Sequence, residues 1–188
     1  PKRFSGSEIL ELNYPLKKFL LRSAYSSWEG SIFKDYMSSK IVQNFDIDQA
    51  TQKPVLVYIN GEYWGIHFMM EKLDRFYLTE KHQFDKTELS IVEGYELAQY
   101  GSSNDYDSII NFLKASDLRI EKNYEVVQNK VDLDSYIDWI VAETFLQNWD
   151  WPYNNIRLWK HDQTGKWRFF LVDMDGTFGE PHHNTLNR

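Results

Sequence analysis

The sequence predicts a mixed α+β domain with mainly antiparallel strand pairing, and three observations lead there. Two runs of β-forming residues flank Asn60-Gly61, the turn chemistry of a tight hairpin. Two more flank a Gln163-Thr164-Gly165 turn. Between the hairpins, the stretch 132–148 repeats its apolar residues at intervals of three and four, the helical period. A length of 188 residues suits one domain rather than two. With 42% hydrophobic and 16% aromatic residues the chain can bury a sizeable core, which removes the disordered class.

Taken in order, residues 16–24 contain Phe19-Leu20-Leu21, an apolar run too short for periodicity to assign to strand or helix. Residues 31–43 read as a helix that turns Ile32, Phe33, Tyr36, Met37 and Ile41 toward a core. After Pro54, residues 55–59 are expected to pair with 64–69 across Asn60-Gly61. Gly65, inside the second strand, signals a bulge or a close approach by another group. Residues 71–82 read as a helix with Leu73, Phe76 and Tyr77 on one face, and 89–92 as a short strand. Residues 94–104, with two glycines and Ser102-Ser103-Asn104, read as a loop. Asn104 or Asp105 is the expected cap of a helix with Tyr106, Ile109, Ile110 and Leu113 on its face, and Asp117 to about Asn123 reads as a turn. Asp132 caps the helix 132–148, whose apolar face is Leu133, Tyr136, Ile137, Ile140, Val141 and Phe145 and which must end before Pro152. Residues 155–160 should pair with 167–172 and run into Asp173-Met174-Asp175-Gly176-Thr177-Phe178-Gly179. The abrupt start at Pro1 and the stop soon after Gly179 suggest an excised piece of a longer protein.

Composition excludes several functions. Lys and Arg number 21 against 28 Asp and Glu, a net charge of −7, which argues against nucleic acid as a partner. The absence of cysteine removes disulfide scaffolds, thiolate zinc sites, iron–sulfur clusters and thiol catalysis. No apolar run approaches the roughly 20 residues of a membrane-spanning helix, and no signal peptide is visible. The histidines lack zinc-site spacing, and only His182-His183 lies near the acidic loop, as a candidate substrate contact. No P-loop, G-x-G-x-x-G or G-x-S-x-G occurs.

Candidate chemistry lies in 148–179. Asp150 sits between two tryptophans just past an apolar helix, where a carboxylate must be paired or used. Asp173 follows the apolar run 169–172, and a hairpin can bring it back beside Asp150 and Asn155. Two carboxylates and an amide oxygen are hard ligands suited to Mg²⁺, Mn²⁺ or Ca²⁺, as phosphoryl transfer requires. Protein kinases place a catalytic Asp, an Asn five residues on, two short strands and a metal-binding Asp in this order, and the step from Asp150 to Asn155 matches. The usual His-Arg before the first Asp is missing, and Asp-Phe-Gly is stretched. Helix caps, Asx-turns or a structural calcium site of Asp173 and Asp175 are the plainer readings. For phosphate, the candidate cations are Lys72, with Glu71 expected at the cofactor site to orient it or a metal, and Arg22. Side by side on a regular strand, Glu71 and Lys72 would point to opposite faces unless a bulge or helix start lies there. A metal-dependent phosphohydrolase is a further alternative, because Asp173-Met-Asp175-Gly-Thr177 resembles the signature of the haloacid dehalogenase superfamily. That superfamily follows its motif with a long α/β domain, for which too little chain remains here.

These motifs in this order resemble the spore coat protein H (CotH) kinase family. The match runs through Val57-Tyr-Ile-Asn60-Gly61-Glu-Tyr-Trp-Gly65-Ile66, Glu71-Lys72-Leu-Asp74 and Asp134-Ser-Tyr-Ile-Asp138. It continues through Asn148-Trp-Asp150-Trp151, Asn154-Asn155, Trp167 and Asp173-Met-Asp175-Gly-Thr-Phe-Gly179, with Arg22 and Asp35 fitting an early segment in which Ser23 replaces the usual Asn. The resemblance covers nearly the whole chain. It implies an atypical protein-kinase-like fold, truncated at its C-terminal side, with about 1–93 covering a nucleotide and about 104–188 forming a helical part that carries the catalytic and metal-binding loops. It implies ATP with a divalent metal such as Mg²⁺ as cofactors, a protein hydroxyl as acceptor, Asp150 as the catalytic residue and Asp173 as a metal ligand. The spacing adds Asn155 as a second ligand and Asp175 as either a further ligand or a cap for the Gly176-Thr177 turn. Family members phosphorylate spore coat proteins, and related fungal surface proteins act as invasins. A noncatalytic surface or adhesion module is therefore an alternative, and a cell-envelope, secreted or spore-associated setting is expected.

Overall fold

The computed structural model describes residues 4–24, 30–94, 97–179, 182, 184 and 185. Its elements are β1 (Phe4–Ser5), α1 (Gly6–Ile9), β2 (Pro15–Leu16), β3 (Phe19–Arg22), α2 (Lys34–Ile41), β4 (Asp48–Gln49), β5 (Gln52–Ile59), β6 (Glu62–Glu71) and α3 (Arg75–His82). They continue as β7 (Leu89–Glu93), β8 (Leu97–Tyr100), α4 (Asn104–Ala115), α5 (Glu121–Lys130), α6 (Leu133–Phe145), β9 (Arg157–His161) and β10 (Arg168–Leu171), with short 3-10 turns at Lys86–Glu88 and Met174–Gly176. The fold is α+β.

Beyond the small β1–β2 pair, the strands form two sheets. One has the order β3-β6-β5 and the other β4-β10-β9-β7-β8. The first hairpin forms as its turn chemistry demands, with Val55 opposite His67 and Val57 opposite Gly65. The register then shifts so that Tyr58 faces Tyr63, and Gly65 takes φ +112°, a backbone state that glycine adopts without steric cost. Gly65 is thus a bulge residue. The second hairpin pairs Arg168 with Trp159 and Phe169 with Leu158. One parallel pair, β10 with β4, joins sequence-distant strands. The larger sheet therefore draws strands from both halves of the chain.

Side-chain alternation along these strands divides the core. Val92, Leu158, Phe169 and Leu171 pack with Tyr106 and Ile109 of α4 and with Trp139, Ala142 and Leu146 of the α6 region. Ile91, Trp159 and Phe170 pack instead with Leu73, Tyr77 and Leu78 around α3.

Several expectations are corrected. The 94–104 segment is not all loop, because β8 adds to β7 as an edge strand. A helix, α5, begins within the expected turn region, and Ser103 rather than Asn104 or Asp105 stands at the start of α4. The helix expected from residue 71 begins at Arg75, capped by Asp74, whose side chain accepts from the amides of Phe76 and Tyr77. In α2 the buried residue is Ser38, while Phe33, Met37 and Ile41 are exposed. In α6, Asp132 caps as expected, but the face against the sheet is Ser135, Trp139, Ala142 and Glu143. Tyr136, Ile137, Val141 and Phe145 are exposed. Small residues let α6 approach closely, and its contacts are specific: the Phe169 amide donates to Ser135 Oγ at 3.1 Å, and Trp139 stacks on Phe169 at 4.7 Å between centroids.

Candidate functional site

A cleft of about 450 Å³ opens between the three-stranded sheet and the α3-side face of the larger one. Leu20, Arg22, Gln52 and Met70 line it from the first sheet, Asp35 and Ser39 from α2, and Glu93, Arg157 and Leu171 from the second. Lys72, Asn155 and Asp173 project from the connecting segments.

Asp150 does not itself line this cleft but is bound to a residue that does. Asn155 Nδ2 donates to Asp150 Oδ2 at 3.2 Å, and Asn154 Nδ2 donates to the same oxygen at 3.0 Å. Asn155 and Asp173 both hold left-handed backbone conformations, with φ of 61° and 55°. Such conformations cost an ordinary residue about 1 kcal/mol or more and concentrate where a side chain must be aimed.

The Asp150 and Asp173 segments are fastened to each other. The Trp149 amide donates to the Gly176 carbonyl at 3.2 Å, and the Phe178 amide to the Leu146 carbonyl at 3.0 Å. Beneath them Asn148 is fully buried: its Oδ1 accepts from the Asp150 amide at 3.3 Å, and its Nδ2 donates to Glu143 Oε2 at 2.9 Å. Burial raises the Glu143 pKa to about 7, against the pull of the Asn148 hydrogen bond. On the other side, α2 docks through a Ser38–Thr177 hydroxyl contact of 3.0 Å.

That docking sets Asp35 beside Arg22. Arg22 donates to Asp173 Oδ1 at 2.6 Å and lies 3.6 Å from Asp35 Oδ2 and 3.7 Å from Asp175 Oδ2. Burial pulls the guanidinium pKa down, but the Asp173 hydrogen bond and the three carboxylate charges outweigh it, and the pKa stands above the ordinary arginine value. Burial raises the Asp35 pKa even with Arg22 nearby.

Glu71 and Lys72 separate. Glu71 is only 2% exposed and accepts from the Tyr14 hydroxyl at 2.7 Å and the Thr51 amide at 2.9 Å. As the end residue of β6, Glu71 is committed to the interior, while Lys72 is exposed on the cleft with no ion-pair partner among the described residues.

A sequence profile described as "CotH kinase protein" matches residues 2–188. The chain belongs to this family. One curated relative is the "Inner spore coat protein H" of Bacillus subtilis (strain 168), 23% identical over 208 residues that cover 97% of the chain and 53% of the relative. The chain thus spans about half the length of that relative.

In this CotH domain, Arg22, Glu71, Lys72, Asn155 and Asp173 line one cleft, and Asp150 and Asp175 lie one contact behind it. Of the two histidines near the acidic loop, His182 is exposed and His183 lies outside the described residues. Among the described residues, no three Asp, Glu, His or Cys side chains are grouped to hold a metal alone. The available donors still suit Mg²⁺, which takes one or two carboxylates and completes its shell from phosphate and water. Sequence reasoning missed Glu143 and Arg157. A lone Glu within an apolar helix and an Arg at an inward position of a buried strand were the signals for them.

Proposed function

We propose that this CotH domain binds ATP with a divalent metal, Mg²⁺ first among Mn²⁺ and Ca²⁺, and transfers the terminal phosphoryl group to a hydroxyl of a protein. One observation carries the reading: Asn155, hydrogen-bonded to Asp150, shares a single cleft with Asp173 and Lys72. In this reading residues 1–188 form one domain in an atypical protein-kinase-like arrangement. About 1–93 covers the nucleotide, and about 104–188 brings the catalytic and metal-binding loops. The name of the curated relative supports a spore-associated setting. Among the described residues no helix is long and apolar enough to cross a membrane.

Each residue then has a role. Asp150 accepts the acceptor's proton on a carboxylate already steadied by two asparagine amides. Asn155 spends its Nδ2 on Asp150, which leaves its Oδ1 as a metal donor beside the Asp173 carboxylate. The bound metal supplies charge neutralisation for the phosphates. Lys72 meets the phosphate chain, while Arg22 holds Asp173 in place.

A phosphate-transfer assay on the full-length protein tests the reading. Asp150→Asn should keep nucleotide binding and lower transfer by about 10²–10⁴-fold, the scale of general base catalysis. Asp173→Ala should weaken metal-dependent ATP binding and remove turnover together. Wild-type transfer by Asp150→Asn would refute the kinase reading and leave a noncatalytic surface module in its place.

A further inference from the structure

We propose that Arg157 is a ligand contact of this cleft, its guanidinium joining Lys72 to receive a phosphate chain. The proposal rests on the nucleotide reading above and adds a residue that the chain's motifs do not contain.

Position comes first. Arg157 opens β9, two residues after Asn155, and lies opposite Glu93 of β7. Strand alternation puts it on the same face as Trp159, the face that carries the cleft. It shares the cleft wall with Leu171, Val172 and Asp173.

Restraint comes second. The guanidinium carbon stands 5.4 Å from the centre of the Phe170 ring, a cation–π contact that holds the group in place before any ligand arrives. Phe170 is itself fully buried.

Unmet bonding comes third. Arg157 Nε is buried and has no hydrogen-bond partner among the described residues. A buried donor left in that state keeps its desolvation penalty with no hydrogen bond to offset it. Burial lowers the Arg157 pKa, and Glu93 and Asp74 offset this only through their charge at a distance. Arginine stays protonated across the working pH range, so the cleft contains a fixed cation without an ion pair among the described residues.

Arg22 is engaged by three carboxylates. Lys72 and Arg157 are the cleft-lining cations without an ion pair among the described residues. One is a flexible point charge and the other a planar fork matched to phosphate oxygens. Together they offer the phosphate chain one adjustable and one fixed contact.

Calorimetric titration of the full chain with inorganic tripolyphosphate, ADP and adenosine tests this. Arg157→Gln should weaken tripolyphosphate and ADP by about 10–100-fold, the scale of a charge-assisted hydrogen bond, and leave adenosine unchanged. Arg157→Lys keeps the charge but loses the fork and should fall between. If thermal melting shows that Arg157→Gln has unfolded, the Lys variant decides. Unchanged tripolyphosphate affinity in a folded variant, equal losses for adenosine, or a wild type that binds no tripolyphosphate would each overturn the proposal. Arg157-dependent tripolyphosphate binding beside wild-type transfer in Asp150→Asn would keep this contact and refute the kinase reading.

Discussion

A methyl group on Gly176 would lie 2.8 Å from Asn148 Oδ1 and 3.0 Å from Trp149 Nε1. Asn148 cannot yield easily, because it is bonded to both Glu143 and the Asp150 amide. Gly176→Ala should therefore separate the Asp150 and Asp173 segments and cost about 1–3 kcal/mol by urea denaturation, with a loss of nucleotide affinity. An alanine variant with the wild-type urea midpoint would contradict the close packing. The same residues show which parts of the site the sequence makes legible. Asp150 and Asn155 are five positions apart, and Asp173 ends a local hairpin, so short-range spacing sufficed. The hydrogen-bond partner of Glu71, Tyr14, is 57 positions away, a separation that no local spacing signals.

Helix α6 shows the limit of periodicity as a guide. Its most apolar stripe is exposed, to 55% at Ile137 and 71% at Phe145, while Ser135 and Glu143 are buried. Apolar spacing located the helix and its cap but not the docked face, which close approach and specific hydrogen bonds decided. The cost of that choice falls on Glu143. Its pKa of about 7 in the folded chain exceeds the ordinary 4.5, so between these values the folded state holds a proton that the unfolded state has released. Stability should fall as pH rises through that window and level off above it. Each pKa unit is worth about 1.4 kcal/mol, so the fall is on the order of 3 kcal/mol. Glu143→Gln cannot ionise and can keep an oxygen for Asn148. Urea midpoints measured from pH 5 to 8 should decline in the wild type and decline less in the variant; equal slopes would remove Glu143 as the cause.

Across the whole molecule, Asp48 ties three elements together. Its Oδ1 accepts from the Tyr77 hydroxyl at 2.9 Å and Lys81 at 3.1 Å and contacts His82 Nε2 at 2.9 Å, while Trp159 Nε1 donates to its Oδ2 at 2.9 Å. Burial alone would raise its pKa, but the His82 hydrogen bond and the Lys81 charge outweigh it and hold the carboxyl well below the usual range. Asp48→Asn leaves donors unpaired in the interior and should cost about 3–5 kcal/mol in a denaturant titration. A loss below 1 kcal/mol would show that α3 docks on its apolar face alone. Long-range features of this kind were the illegible part of the fold. The two hairpins carry their own turn chemistry and were read directly. The parallel β4–β10 pair has no local signal, and β8 lay hidden behind its flanking glycines.

The Arg22–Asp173 bond spans 151 positions, and that separation has a consequence in time. Contacts between distant residues close late in folding, because the intervening chain must be ordered first. During synthesis, Arg22 emerges long before any of the carboxylate and amide groups of 150–175. The cleft therefore cannot exist on a growing chain until β9 and β10 have been made and docked. A nucleotide that bound there would select finished molecules and stabilise them by mass action, without helping earlier intermediates.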